Sequence, residues 1–490
     1  MSAYLLMAAV LFPMGAGILL YLTRGRSWRT VQLWTAAVTV LTSLLVWALI
    51  LLCEEQGVTL LRFSPELSLF FRLDGLGRFF AGIVATLWPL TVLYAFSYME
   101  HEENRGTFFA FFTMSYGATL GVAMAGNLFT MYFFYELLTL FTVPLVMHTL
   151  EKKAVRATRT YLFFSMGGAA FAFVSMAFLV VNGLGDQFVL GGYLHAHPQE
   201  KEWLSQLFYL MGFFGFGVKA AVFPTHFWLP KASVAPTPVT ALLHAVAVVK
   251  SGVFAIVRLT YFSFGTELLV GGWGQRVAMC FAIFTLFYGA VKAVKERHFK
   301  RRLAYSTVAN LSYILFGVTM MSEAGLAAGL LHMAFHAEIK ILAFFCAGAV
   351  LHTSGREWLR ELDGLGRRMP VTLGAFTVSA LALAGVPPLS GFVSKWSLLT
   401  AAAESGDGLA YAGAGVLLGA ALLTAVYMFI PVRRMWFPAK TADLSGLADV
   451  HEADWRMTVP MVLLAAGILL TGMFAGTIVD AAAAIAAGLS

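Results

Sequence analysis

Among the ionisable side chains inside long apolar runs of this 490-residue sequence are Glu136, Lys219, His244, Lys250, His332, His336, Glu338, Lys340 and Lys395. A charge near the centre of a bilayer costs at least ~2.5–3.5 kcal/mol, so an intramembrane ionisable residue points to function by default. Amines, imidazoles and carboxylates are the side chains that trade protons, and a series of them through an apolar protein is a proton-transfer chain. Burial favours the neutral amine of a lysine while a nearby carboxylate favours its ammonium, so a lysine held between the two effects exchanges a proton when the carboxylate moves. Glu136 and Lys219 can form such a pair. The structural alternative is a static ion pair joining two helices, but a buried pair is often no more stabilising than an apolar replacement, which favours a working role. His332, His336 and Lys340 recur at i, i+4 and i+8, one face of one helix with successive Cβ atoms ~6 Å apart. A zinc site there lacks an evident third ligand and would be repelled by the lysine one turn on; a water-bridged relay fits better, because histidine titrates near neutral pH. Glu338, two residues off that face, packs either against a neighbouring span or against a partner subunit. Lys395 either lines the path or snorkels to an interface. His244 lies six residues before Lys250 and points elsewhere, where water could bridge it to Lys219 and Lys250.

The elements that must position these groups are membrane spans. The chain is 59% hydrophobic and 12% charged, against about 25% charged residues in soluble domains. A span needs ~20 mostly apolar residues. Such runs occur at 3–23, 30–52, 76–99, 107–126, 128–149, 160–182, 204–224, 238–259, 271–291, 303–322, 325–351, 371–402, 409–432 and 457–486. The fold expected is an all-α integral membrane protein of about 14 transmembrane helices in a single polytopic domain, 1–490. With the N-terminus outside, the inside loops hold 23 of the 33 Lys+Arg, the asymmetry that sets orientation. Both termini are therefore expected outside, and the first span is read as a span, not a cleaved signal peptide. The net charge of +7 sits in short loops and is no nucleic-acid footprint. Three isolated cysteines, Cys53, Cys280 and Cys346, offer no cluster or zinc spacing, so no metal or cofactor is expected. Residues 54–75 suggest an extracellular hairpin. His195 and His197 form an HxH in a polar loop and read as solvated, and His148 reads as interfacial.

Two spans are interrupted. Pro224 breaks the run that carries Lys219, and Pro387, Pro388 and Gly391 break the run that carries Lys395. Paired Gly/Pro-interrupted spans in corresponding halves point to a transporter's binding site. The breaks lie five spans apart, an odd number, so two five-helix repeats, 106–260 and 270–436, would sit inverted in the membrane between flanking helices 1–100 and 455–490.

KAAVFPTHFWLPKASVAPTPVTALLHAVAVVKSG (219–252), FKRRLAYSTVANLSYI (299–314), HMAFHAEIK (332–340) and GVPPLSGFVSKW (385–396), together with Glu136, resemble a known family over nearly the whole chain. It comprises the antiporter-like proton-translocating subunits shared by respiratory complex I, Mrp-type sodium/proton antiporters and membrane-bound energy-converting hydrogenases. The resemblance implies fourteen spans with inverted repeats and both termini outside. It makes Glu136 and Lys219 the switching pair and Lys250 the lysine of span eight. It makes His332, His336 and Lys340 the central connection, and Lys395 the residue facing the exit, where some members carry glutamate. It implies other membrane subunits as partners, H+ and possibly Na+ as cargo, and a cell (inner or plasma) membrane. The chain ends after span fourteen, so a medium-sized subunit without the long lateral helix is expected, its parent complex open among the three. The competing reading is a redox-enzyme membrane subunit with a mainly structural role. No haem ligands, cluster cysteines or nucleotide loop favour a redox centre in this chain.

Overall fold

A computed structural model describes residues 2–23, 25–64, 67–183, 187–192, 202–439 and 444–487; His195 and His197 lie outside them. In a bilayer every backbone polar group must be satisfied internally, which leaves helices as the economical solution for apolar runs. The chain accordingly forms α1 (Ser2–Leu22), α2 (Trp28–Leu52), α3 (Gly75–Tyr98), α4 (Arg105–Ala123), α5 (Leu128–Val146), α6 (Lys152–Val181) and α7 (Glu202–Gly217). Then come α8 (Trp228–Ala232), α9 (Thr237–Ala245), α10 (Val248–Val257), a π-helical stretch at Arg258–Phe264, and α11 (Thr266–Leu269). The second half holds α12 (Trp273–Lys295), α13 (Phe299–Thr319), α14 (Glu323–Ser354), α15 (Pro370–Ala384), α16 (Ser390–Glu404), α17 (Gly408–Trp436), α18 (Trp455–Met473) and α19 (Gly476–Ala486). Helices or helix pairs overlie all the expected spans, and ten helical segments among the described residues, α9–α10 with the π-helical stretch counted as one, are long and apolar enough to cross a membrane. The hairpin expected between spans two and three forms, with β1 (Gly57–Arg62) antiparallel to β2 (Ser68–Arg72).

Helix starts follow local chemistry. Asp74, Asn127, Ser322 and Asp407 each accept a first-turn backbone N–H, capping α3, α5, α14 and α17, which satisfies one of the four orphan donors at a helix start.

Burial separates the helices into a centre and a rim. The apolar window of the α9–α10 segment is 100% buried and that of α14 83% buried, whereas α6 and α17 bury 39%. The central helices carry His244, Lys250, His332, His336 and Lys340, so the costly polar groups lie where other helices cover them.

The breaks differ in detail from expectation. Span seven loses helical form at Gly217, before Lys219, and Val218–Pro224 is irregular, with Ala221 at φ +56°. Lys219 thus sits at the break and not inside the helix. Span twelve stops at Ala384, turns through Gly385 at φ +89° and resumes at Ser390. Pro387 and Pro388 lie in this break, but Gly391 belongs to the first turn of α16. Its reason is proximity: a Cβ there would come 1.9 Å from the Ala382 carbonyl oxygen. Span eight, expected to be continuous, is interrupted at Val246–Ala247, where Val246 leaves helical geometry at φ −133°. No proline marks that break; neighbouring helices supply the packing that tolerates it.

Candidate functional site

Lys219 is fully buried. Its Nζ lies 3.7 Å from Glu136 Oε1, donates to the Tyr135 carbonyl oxygen and sits 3.2 Å from the Tyr135 ring centroid. The Glu136 side chain is 27% exposed, so the pair is buried on one side only. The structure brings the two residues together across 83 positions of sequence. Trp228 Nε1 donates to the Val218 carbonyl at 2.7 Å, satisfying one backbone group that the break frees.

Close packing fixes this lysine from the other side. Gly252 of α10 lies so near that a Cβ would meet Ala220 N at 2.5 Å and the Lys219 carbonyl carbon at 2.9 Å. Gly252→Ala is expected to displace the Lys219 backbone and cost ~1–3 kcal/mol. The readout is a lower midpoint of thermal unfolding in detergent. Gly167→Ala, where a Cβ meets nothing within 4 Å, is the control that should leave it unchanged.

A second group of contacts runs through α10, α14 and α16. Lys250 Nζ is within hydrogen-bond reach of His336 Nδ1 at 2.6 Å. The His336 and His332 rings stack with centroids 5.8 Å apart. His332 Nδ1 lies 2.9 Å from Ser394 Oγ, and the next residue, Lys395, donates to the Leu383 carbonyl oxygen at the end of α15. That carbonyl belongs to the last turn of a helix, where a cation is favoured by the orphan acceptors and the helix dipole. Tyr313 bridges the end of the row, 5.3 Å from the His332 ring and 5.4 Å from Lys395 Nζ. All these residues are buried.

Lys340 does not continue the row toward Lys395. It turns to α13, donating to Ser306 Oγ at 2.7 Å and the Leu303 carbonyl at 3.1 Å. His244 is wholly buried, its ring tilted against that of Phe344 with centroids 4.8 Å apart. His244 Nδ1 and Nε2, His332 Nε2, His336 Nε2 and Glu136 Oε1 have no protein hydrogen-bond partner. Buried polar groups of this kind are where bridging water binds, provided the site is polar and roomy enough.

Sequence reasoning misses several participants. Ser394 and Tyr313 complete the row, yet a serine beside a lysine and a tyrosine in an apolar helix carry no special signal. Lys300 reads from sequence as a loop cation, but it is buried and donates to the Ala235 carbonyl at 3.0 Å. Arg258 reads likewise as part of an outside loop. It is wholly buried, its two guanidinium arms bonded to the two Asp74 oxygens at 2.6 Å, with Phe188, Phe254 and Phe262 rings around it.

Glu338 packs against a neighbouring span, one of its two expected alternatives: its Oε2 lies 3.3 Å from Thr471 Oγ1 of α18. His148 follows α5 and meets the Phe108 ring edge-on at 5.3 Å.

The sequence profile described as NADH:quinone oxidoreductase/Mrp antiporter, TM, matches residues 125–423. NADH-quinone oxidoreductase subunit N of Desulforudis audaxviator is 31% identical over 411 residues, 80% of this chain and 79% of that one. The A/B subunit of the probable K(+)/H(+) antiporter of Rhizobium meliloti is 32% identical over 418 residues, covering 84% of this chain and 41% of its own length. The A1 subunit of the Na(+)/H(+) antiporter of Staphylococcus haemolyticus is 29% identical over 460 residues, 88% of this chain and 56% of that one. The chain thus spans about half the length of these two antiporter relatives. Among solved structures, a chain of the Mrp complex from Dietzia sp. superposes with a TM-score of 0.87 at 21% identity, covering 100% of this chain and 97% of that one. A chain of the membrane-bound sulfane sulfur reductase, an archaeal respiratory membrane complex, gives 0.86 at 22% identity, covering 99% and 97%. At that identity the structural likeness carries the fold alone. The multi-pass membrane fold, the profile match over more than half the chain and the relative aligned over four fifths of it establish that the chain belongs to the NADH:quinone oxidoreductase/Mrp antiporter transmembrane family.

Proposed function

We propose that this chain is a proton-translocating, or sodium/proton-translocating, subunit of a larger membrane complex. The observation that carries the reading is the buried row Lys250–His336–His332–Ser394, with Lys395 next to Ser394 in the chain. The names of its relatives, antiporter and quinone oxidoreductase subunits, support it. Other membrane subunits of the larger complex are its partners.

The proposed orientation has both termini outside and inverted repeats over 106–260 and 270–436, in a cell membrane. Protons then arrive from the inside near Lys300, His244 and Lys340. They pass to Lys250 and His336, continue through His332 and Ser394, and leave beside Lys395. The Glu136–Lys219 pair acts as the gate. Drawing the carboxylate away removes the charge that holds the ammonium, and the released proton pushes charge along the row. Moving one charge against 100 mV requires ~2.3 kcal/mol, supplied by redox chemistry in partner subunits or by an opposing ion gradient. The mainly structural reading is kept in view by the likeness to part of a quinone oxidoreductase, and one assay separates the two. Proton flux is followed with a pH-sensitive dye in proteoliposomes holding the intact complex. Ser394→Ala removes the hydroxyl that joins His332 to the Lys395 end, and flux should fall about tenfold, one relay contact of ~1.4 kcal/mol. Flux at the full rate in that variant would take Ser394 out of the route. Normal flux in a complex whose Lys219 and Lys250 are both alanine would sink the reading.

A further inference from the structure

A groove of about 890 Å³ runs along the side of the molecule between α2 and α3 on one wall and α18 and α19 on the other, with Ala334, Phe335 and Glu338 of α14 on its floor. Among the described residues its only other charged lining group is Arg78. That guanidinium is already engaged with the Ile50, Cys53 and Leu73 carbonyl oxygens, so it does not neutralise the carboxylate. Thr471 is no full partner either. A hydroxyl has one proton, and Thr471 Oγ1 lies 2.8 Å from the Gly467 carbonyl but 3.3 Å from Glu338 Oε2. Gly467 is there because the carboxylate needs the room: a Cβ would fall 2.0 Å from Glu338 Oε1. The chain therefore shapes a pocket for an acidic group in an apolar groove and gives it no cation.

We propose that this groove seats a transmembrane helix of a neighbouring subunit, one that presents a lysine, arginine, histidine or hydroxyl or amide donor level with Glu338. Charge complementarity is the argument. A carboxylate at membrane depth is costly without a partner, and an acyl chain has no donor to offer. The groove is also lined by Gly75, Gly82, Ala334 and Gly467, and small residues at interfaces let helix backbones approach closely. Its volume matches about two turns of a helix ~10 Å across. Glu338 is thus a docking residue on the face of α14 opposite to its relay work. This inference rests on the proposed function only in that the chain works among other membrane subunits.

The test places benzoylphenylalanine at Leu463, which lines the groove, in the full complex within native membranes. Irradiation should join the chain to one spanning segment of another subunit, with a donor or basic residue within a turn of the attachment point by mass spectrometry. Glu338→Leu should reduce that product about tenfold, equivalent to ~1.4 kcal/mol, and Glu338→Gln should retain part of it. Lys219→Ala should leave it intact even where transport is lost, so failure of docking and failure of the transport reading are distinguishable. Adducts to lipid alone, to a second copy of this chain, or to a subunit whose yield ignores Glu338→Leu would each overturn the proposal.

Discussion

Lys219→Ala is expected to reduce proton flux through the reconstituted complex to the leak of protein-free vesicles while the chain still folds and assembles. Lys219 is the only cation within ion-pair distance of Glu136 among the described residues, so no neighbour can take over its charge. Folding should survive because the variant removes the wholly buried ammonium and leaves one acceptor unpaired, at a cost of ~1–3 kcal/mol. That is a fraction of the stability of a chain with this much buried apolar surface. Flux at the wild-type rate in the variant would mean that the pair is a strut and the row is fed by another route. Glu136→Gln supplies the complementary result. It keeps the shape and removes the charge, so flux should fall while the unfolding midpoint barely moves. If both variants lose assembly instead, the pair is structural and the gating role is wrong.

Asp74→Asn is expected to destabilise the protein by ~3–5 kcal/mol, because it leaves a buried guanidinium without its counter-charge. Arg258 is wholly buried, and Asp74 takes both its arms at 2.6 Å while also capping α3 through Gly77 N. The measured consequence is a sharp drop in folded yield and in the unfolding midpoint in detergent. The double variant Asp74→Leu with Arg258→Met should recover most of that loss, since replacing a buried pair by apolar side chains is often neutral. A mild single variant would show that water or lipid reaches Arg258. The same pair sets an acid limit. Burial alone would raise the Asp74 carboxyl, but the charge and hydrogen bonds of Arg258 prevail and hold it below the usual range. A carboxyl depressed in the folded state contributes stability above its unfolded pKa, and that stability is lost as the pH falls through the folded value. The wild-type unfolding midpoint should therefore fall in strong acid by more than that of the double variant.

The sequence was legible wherever energy penalises a residue type in one place only. Lysines, histidines and glutamates in apolar runs are costly enough that their presence alone marked Glu136, Lys219, Lys250, His332, His336, Lys340 and Lys395, and each of these lysines and histidines is buried. The breaks at Pro224 and at Pro387–Pro388 were readable because proline cannot donate a backbone hydrogen bond. The break at Val246–Ala247 was not, because packing between helices imposes it and no residue type encodes it. Spacing on one helix face suggested a line through His332, His336 and Lys340. A helix face, however, does not say which neighbour each side chain meets. Tertiary structure turned Lys340 to Ser306 of α13 and joined His332 to Ser394 of α16.

Arg258 and Lys300 show the same limit from the other direction. Both stand near the ends of apolar runs, where a cation is ordinarily solvated, and hydropathy cannot distinguish a solvated end from one roofed by other elements. The chain by itself determined that buried charges exist, which residues they are and which two spans must break for them, because those follow from the cost of charge and of free backbone in an apolar medium. Which charges touch, in what order, and which carboxylate faces outward into an open groove were decided only by how the helices pack, since contact between residues tens of positions apart is a property of the assembled core and not of any local run.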